Sequence, residues 1–159
     1  MERETLLASY PVRLPVWWAR RGPVGPHPTL PQVSGRFIVI RHRKRFNALE
    51  RFIARFVKGR EELRRPLDDM NSLLWELCDG KRTLEENVVQ MESTFDERIA
   101  PATDRCIASL TRMEKLGLIG LLREPFDDRW DTGPGVDPSG ELGPPDPALE
   151  LDTSRLSEA

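Results

Sequence analysis

The chain is poor in residues that do acid–base, nucleophilic or metal chemistry. Its 159 residues contain two cysteines, Cys78 and Cys106, and two histidines, His27 and His42. Zinc sites need four ligands at short, paired spacings, and these four residues have no such spacing. Both cysteines fall on apolar helical stripes, which favours buried inert thiols over a nucleophile. Asp127, Asp128 and Asp131 with Gly133 approach a calcium loop, but the glycine offset and the closing glutamate are wrong. No glycine-rich loop could cradle a phosphate. The expectation is therefore a protein that is not an enzyme, with no catalytic residue, no metal and no cofactor.

Composition limits what remains. Apolar residues (AVILMFWYC) make up 38% and charged residues 31%, with a net charge of -2. That net value hides a gradient: residues 1–66 sum to +10, residues 67–123 to -4 and residues 124–159 to -8. No long apolar run follows Met1, so neither a secretory signal nor a membrane span is expected. Two cysteines are too few for a disulfide scaffold, and a reduced, cytoplasmic setting is the economical expectation.

Three regions follow from the pattern. Residues 1–34 read as a Pro-rich arm, because six prolines between 11 and 31 each fix φ and remove a donor. Trp17 and Trp18 would pin that arm to the domain or dock it on a partner. Residues 35–122 read as one α+β domain. Arg36–Arg41 is a β-branched and aromatic strand, and residues 61–67 a second, with Pro66 at its end or edge. Between them, Phe46, Leu49, Phe52, Ile53, Phe56 and Val57 recur at helical steps, predicting an inserted basic amphipathic helix over about 46–58. Such a helix packs on a core, or lies on a membrane surface or a phosphate backbone.

Three helices follow. Asp68 or Asp69 caps the first, whose stripe is Met70, Leu73, Leu74, Leu77 and Cys78, ending at Gly80. Thr83 and Glu86 form a capping box for the second, lined by Leu84, Val88, Met91 and Phe95. The third carries Cys106, Ile107, Leu110 and Met113 and stops near Gly117. Leu118–Leu122 is a terminal strand or a docked extension. Asp79 is expected to accept backbone hydrogen bonds across the turn near Arg82 and Thr83. Residues 124–159, with six prolines and an excess of acid, read as a disordered tail. A strand, an inserted helix, a strand and three short helices make a winged-helix-like unit: a small antiparallel sheet of two or three strands packed on three helices.

The run Leu67-Asp68-Asp69-Met70-Asn71-Ser72-Leu73-Leu74-Trp75-Glu76-Leu77-Cys78-Asp79-Gly80-Lys81-Arg82-Thr83-Leu84 resembles the signature of the PqqD family, named for pyrroloquinoline-quinone synthesis. Leu110…Met113-Glu114-Lys115-Leu116-Gly117-Leu118-Ile119 is similar to that family's third helix and its close. The resemblance covers about residues 61–122. It implies a recognition element for ribosomally made peptides, which binds a precursor's leader as an added strand and presents it to a modifying enzyme, radical or cyclising. Carried over, the edge is Leu63, Arg64 and Arg65. The third helix offers Arg105, Ala108, Ser109 and Arg112, and Asp79, Gly80 and Thr83 form the structural turn. The arginines would suit an acidic leader or simply make a solvated face. The basic insertion, arm and tail depart from the family's pattern, and Pro66 removes one donor from the edge.

A second function class is a winged-helix nucleic-acid binder, favoured by the basic first half. Its third helix sets only Arg105, Arg112 and Lys115 beside Asp104 and Glu114, which is weak for a recognition helix. Attachment to a membrane surface through the 46–58 helix ranks lower still.

Overall fold

The computed structural model of the chain describes residues 2–43, 62–140 and 142–156, with the side chains of residues 42, 43, 62 and 63 left aside. The helix expected over 46–58 lies outside the described residues. Helices of seven residues or more are α2 (Asp69–Leu77), α3 (Leu84–Phe95) and α4 (Ala102–Lys115), after a short α1 (Arg3–Leu7). Strands are β1 (Tyr10–Arg13), β2 (Trp17–Arg21), β3 (Phe37–Arg43), β4 (Glu62–Pro66) and β5 (Ile119–Leu122). The fold is α+β with two small antiparallel sheets, β1–β5 and β2–β3–β4. None of the described helices is long and apolar enough to cross a membrane.

The helix starts follow their sequence signals. Asp68 accepts from the Asn71 amide at the start of α2, and the Thr83–Glu86 capping box is present at α3. Packing of α2 goes further than its stripe implied. Every residue from Ser72 to Cys78 is buried, including Trp75 and Glu76, which lie off that stripe. The N-terminal residues explain this.

Instead of an arm, residues 10–21 contribute a strand to each sheet. Tyr10 pairs with Leu122 and Val12 with Gly120, while Trp17–Arg21 pairs with Phe37–Arg41. Trp18 is 1% exposed and meets Trp75 edge to face at 6.1 Å. Pro11 permits this because the register puts its missing N–H off the β1–β5 ladder, and Trp17–Arg21 contains no proline.

The acidic tail is a second difference. It supplies one buried aromatic side chain, Phe126, and a series of backbone partners. The Phe126 amide donates to Gly80 O, and the Thr132 carbonyl accepts from Arg13 Nε and Trp18 Nε1, each at 3.0 Å. Farther along, Gly135 N donates to Trp18 O, and Asp152 exchanges both backbone hydrogen bonds with Arg20. Residues 126–156 thus run over the N-terminal strands, and Asp152 pairs with Arg36 at 2.6 Å.

Candidate functional site

The β3–β4 register fixes which backbone groups of β4 face outward. Val39 lies opposite Pro66, Ile40 opposite Arg65 and Arg41 opposite Arg64. Leu67 N donates to Ile38 O at 2.9 Å, so hydrogen-bonded pairs fall on Ile38–Leu67, Ile40–Arg65 and His42–Leu63. The main-chain groups of Glu62, Arg64 and Pro66 therefore turn away from β3. The missing N–H of Pro66 costs the β3–β4 ladder nothing, because it falls on the outer side. Among the described residues β4 has one strand neighbour, β3.

The two arginines at this edge face opposite ways. Arg65 shares its face with Ile40, which belongs to the core, so it lies on the side of the sheet toward the helices. Its Nε is buried without a hydrogen-bond partner among the described residues. Arg64 is exposed and shares the other face with Arg41.

On α4, Cys106, Leu110 and Met113 are buried, whereas Arg105, Ala108 and Arg112 are exposed and Ser109 is half-buried. These four follow one another at i, i+3, i+4 and i+7, a single stripe off the core. Arg98 ties this stripe to the start of α2, three residues past the end of β4. That side chain pairs with Asp69 at 2.8 Å, and its carbonyl accepts from Arg105.

In the turn after α2, Asp79 accepts from the Lys81 amide at 2.8 Å and pairs with Arg82 at 3.3 Å. The expected bond near Thr83 is not made, because the Thr83 amide donates to Glu86 of its own capping box. Gly80 has φ +77, and a Cβ there would stand 2.4 Å from Phe126 Cβ. The glycine therefore serves both a left-handed turn and close contact with the tail.

Sequence reasoning missed a polar centre behind this turn. The Glu76 carboxylate, 2% exposed, accepts from Arg20 Nε, Ser34 N and Oγ, and Gly35 N, with closest distances of 2.9–3.0 Å. Arg13 donates from Nη1 to the Trp75 and Glu76 carbonyls, closing the C-terminus of α2, where a cation suits the dipole. Burial holds its guanidinium down to about 10. Arg13 and Arg20 both stack on Trp18, at 5.2 and 4.8 Å. A cavity of about 710 Å³ opens beside them, its lining including Lys81, Trp130 and Arg155. Its charges are largely matched, with Lys81 on Asp128, Arg82 on Asp79 and Arg155 on Asp131. The sequence signal was slight: a glutamate at i+3 from Leu73 inside an otherwise apolar run.

Burial pushes the Cys78 thiol up to about 12 and the Cys106 thiol to about 11, so neither is a thiolate near neutral pH. Among the described residues no group of three or more His, Cys, Asp or Glu could hold a metal ion. The chain matches no family model, no curated protein and no solved structure.

Proposed function

We propose that the chain is a PqqD-like, winged-helix-like peptide-binding adaptor of the cytoplasm, non-enzymatic and without a cofactor. It takes the leader of a ribosomally synthesised precursor as an added strand along the outer side of β4 and presents it to a peptide-modifying enzyme. The observation that carries this reading is the asymmetry of the three-stranded sheet. The outer side of β2 is hydrogen-bonded by the chain's own tail, whereas among the described residues β4 ends the strand order with outward-turned main-chain groups. Strand addition uses such groups for affinity and neighbouring side chains for selection. The Arg65 Nε, buried and without a hydrogen-bond partner among the described residues, supports an acidic guest, since a carboxylate would satisfy it. In this reading the second wall is the α4 stripe of Arg105, Ala108, Ser109 and Arg112, which Arg98 ties to the start of α2.

Fluorescence anisotropy of labelled candidate leader peptides tests this. Arg65→Glu and the pair Arg105→Glu with Arg112→Glu should each weaken binding about tenfold or more. Arg64→Glu should act less, because Arg64 lies on the other face. Unaltered affinity in the Arg65→Glu and Arg105/Arg112 variants overturns the proposal. Retained DNA binding that falls steeply with salt, in place of peptide binding, would point to the nucleic-acid class.

A further inference from the structure

The outer side of β2 already holds a guest strand, and that guest is part of this chain. Arg20 N donates to Asp152 O at 2.9 Å and Asp152 N to Arg20 O at 2.7 Å, a complete antiparallel pair. Gly135 N donates to Trp18 O, the next outward position on the same strand. The Asp152 carboxylate binds Arg36 at 2.6 Å through one oxygen. Through the other it accepts from the Ser154 amide and hydroxyl, at 2.9 and 2.6 Å. What holds the segment is polar and directional: one backbone pair, the ion pairs Asp152–Arg36 and Arg155–Asp131, a bond from Arg20 Nη1 to the Ser154 carbonyl and one Asp-x-Ser turn.

Few apolar contacts add to this. No described residue from Gly135 to Leu156 is buried, and Thr153 to Leu156 are exposed. The strap therefore lacks the buried area that makes a segment part of a core, and its release exposes little apolar surface. Its removal would leave Arg20 with an unpaired amide and carbonyl beside one cation that has lost its carboxylate, Arg36. Edges of this kind take extended peptides.

We propose that the outer side of β2 is a second docking surface, distinct from β4, for an extended peptide carrying an aspartate two residues before a serine. Residues 150–155 occupy it in the free protein and yield to that peptide. The guest repeats the tail's contacts: its aspartate backbone pairs with Arg20, its carboxylate reaches Arg36, and its serine turns the chain back.

The test uses the full chain and a fluorescein-labelled peptide reproducing residues 147–156. Asp152→Pro removes both the strap's donor to Arg20 and its carboxylate. This variant should bind the peptide at least tenfold more tightly than the unaltered chain, and adding Arg36→Glu should abolish that gain. Binding no tighter in Asp152→Pro, or a gain untouched by Arg36→Glu, overturns the proposal. Hydrogen exchange on the unaltered chain gives an independent check. The Arg20 amide should exchange at least about a hundredfold faster than the Leu74 amide, by local release of the strap. Equal protection of the two amides would mean that the strap opens only when the whole domain unfolds, and the proposal fails. None of these readouts involves Arg65 or α4, so failure here leaves the β4 reading standing, and the reverse.

Discussion

Glu76→Ala is the sharpest test of how this molecule holds together. On a helical stripe the position reads as solvent-facing, where alanine would cost a few tenths of a kcal/mol. In the structure Glu76 is 2% and Arg20 3% exposed, and the carboxylate accepts from Arg20, Ser34 and the Gly35 amide. Removing it leaves a guanidinium buried with only the Gln32 and Ser154 carbonyls, and leaves two backbone amides without an acceptor. Breaking a buried pair from one side costs about 3–5 kcal/mol. Each orphaned donor adds on the order of 1 kcal/mol, not fully additively. The expected loss is therefore roughly 4 kcal/mol or more, a large share of the 5–15 kcal/mol typical of a domain. With a urea slope of about 2 kcal/mol/M, the unfolding midpoint should fall by about 2 M. Glu76→Gln should also destabilise, because its amide group turns donors toward donors. The double change Arg20→Met with Glu76→Leu should recover much of the loss, since it removes both charges together. Urea unfolding followed by tryptophan fluorescence measures all three. A Glu76→Ala cost below about 1 kcal/mol, or a double variant less stable than the single, would refute the reasoning.

Three further outcomes are expected. Gly80→Ala should cost at least about 2 kcal/mol, from the left-handed conformation and the 2.4 Å approach to Phe126 Cβ, and Phe126→Ala should not restore stability because alanine keeps that Cβ. Cys78 and Cys106 should resist a disulfide-exchange reagent at pH 8 in the native protein and react only in denaturant, since burial raises both thiols far above that pH; fast native reaction of either contradicts this. The Asp152 carboxyl should titrate near 2 rather than 3.8, held down first by the Ser154 hydroxyl and amide and then by Arg36. A depressed carboxylate stabilises the folded strap above about pH 4 and loses that contribution as the pH falls through about 2. Carboxyl carbon NMR shifts read the midpoint, and a value above 3.5 would count against the strap's geometry.

Much of the helical part was legible because its determinants are local. The Asp68 cap, the Thr83–Glu86 box, the stop at Gly80 and the stripe Cys106, Leu110, Met113 depend on neighbours within four residues. Strands 36–41 and 61–67 were readable from composition, as was the placing of Pro66 at a strand end. The proposed residues lie on β4 and α4, but their facing was not legible: only the register with β3 separates Arg65 from Arg64. Asp79 was placed at the turn correctly, yet its partner proved to be the Lys81 amide, because Thr83 was already engaged with Glu86.

The sequence by itself determined where helices begin and end and which stripes must be apolar, since those rest on backbone geometry and spacing of 3.6 residues. Tertiary structure alone decided that Tyr10 pairs with Leu122, that Arg20 pairs with Glu76, and that Asp152 closes the side of β2. Each of these joins residues more than fifty positions apart through a few hydrogen bonds or charges, which leave no periodic trace in the chain. The Pro-rich start and the acidic end look unfit for a core when read alone. Each becomes ordered because the other supplies the carbonyl, amide or carboxylate that its buried indoles and guanidiniums require.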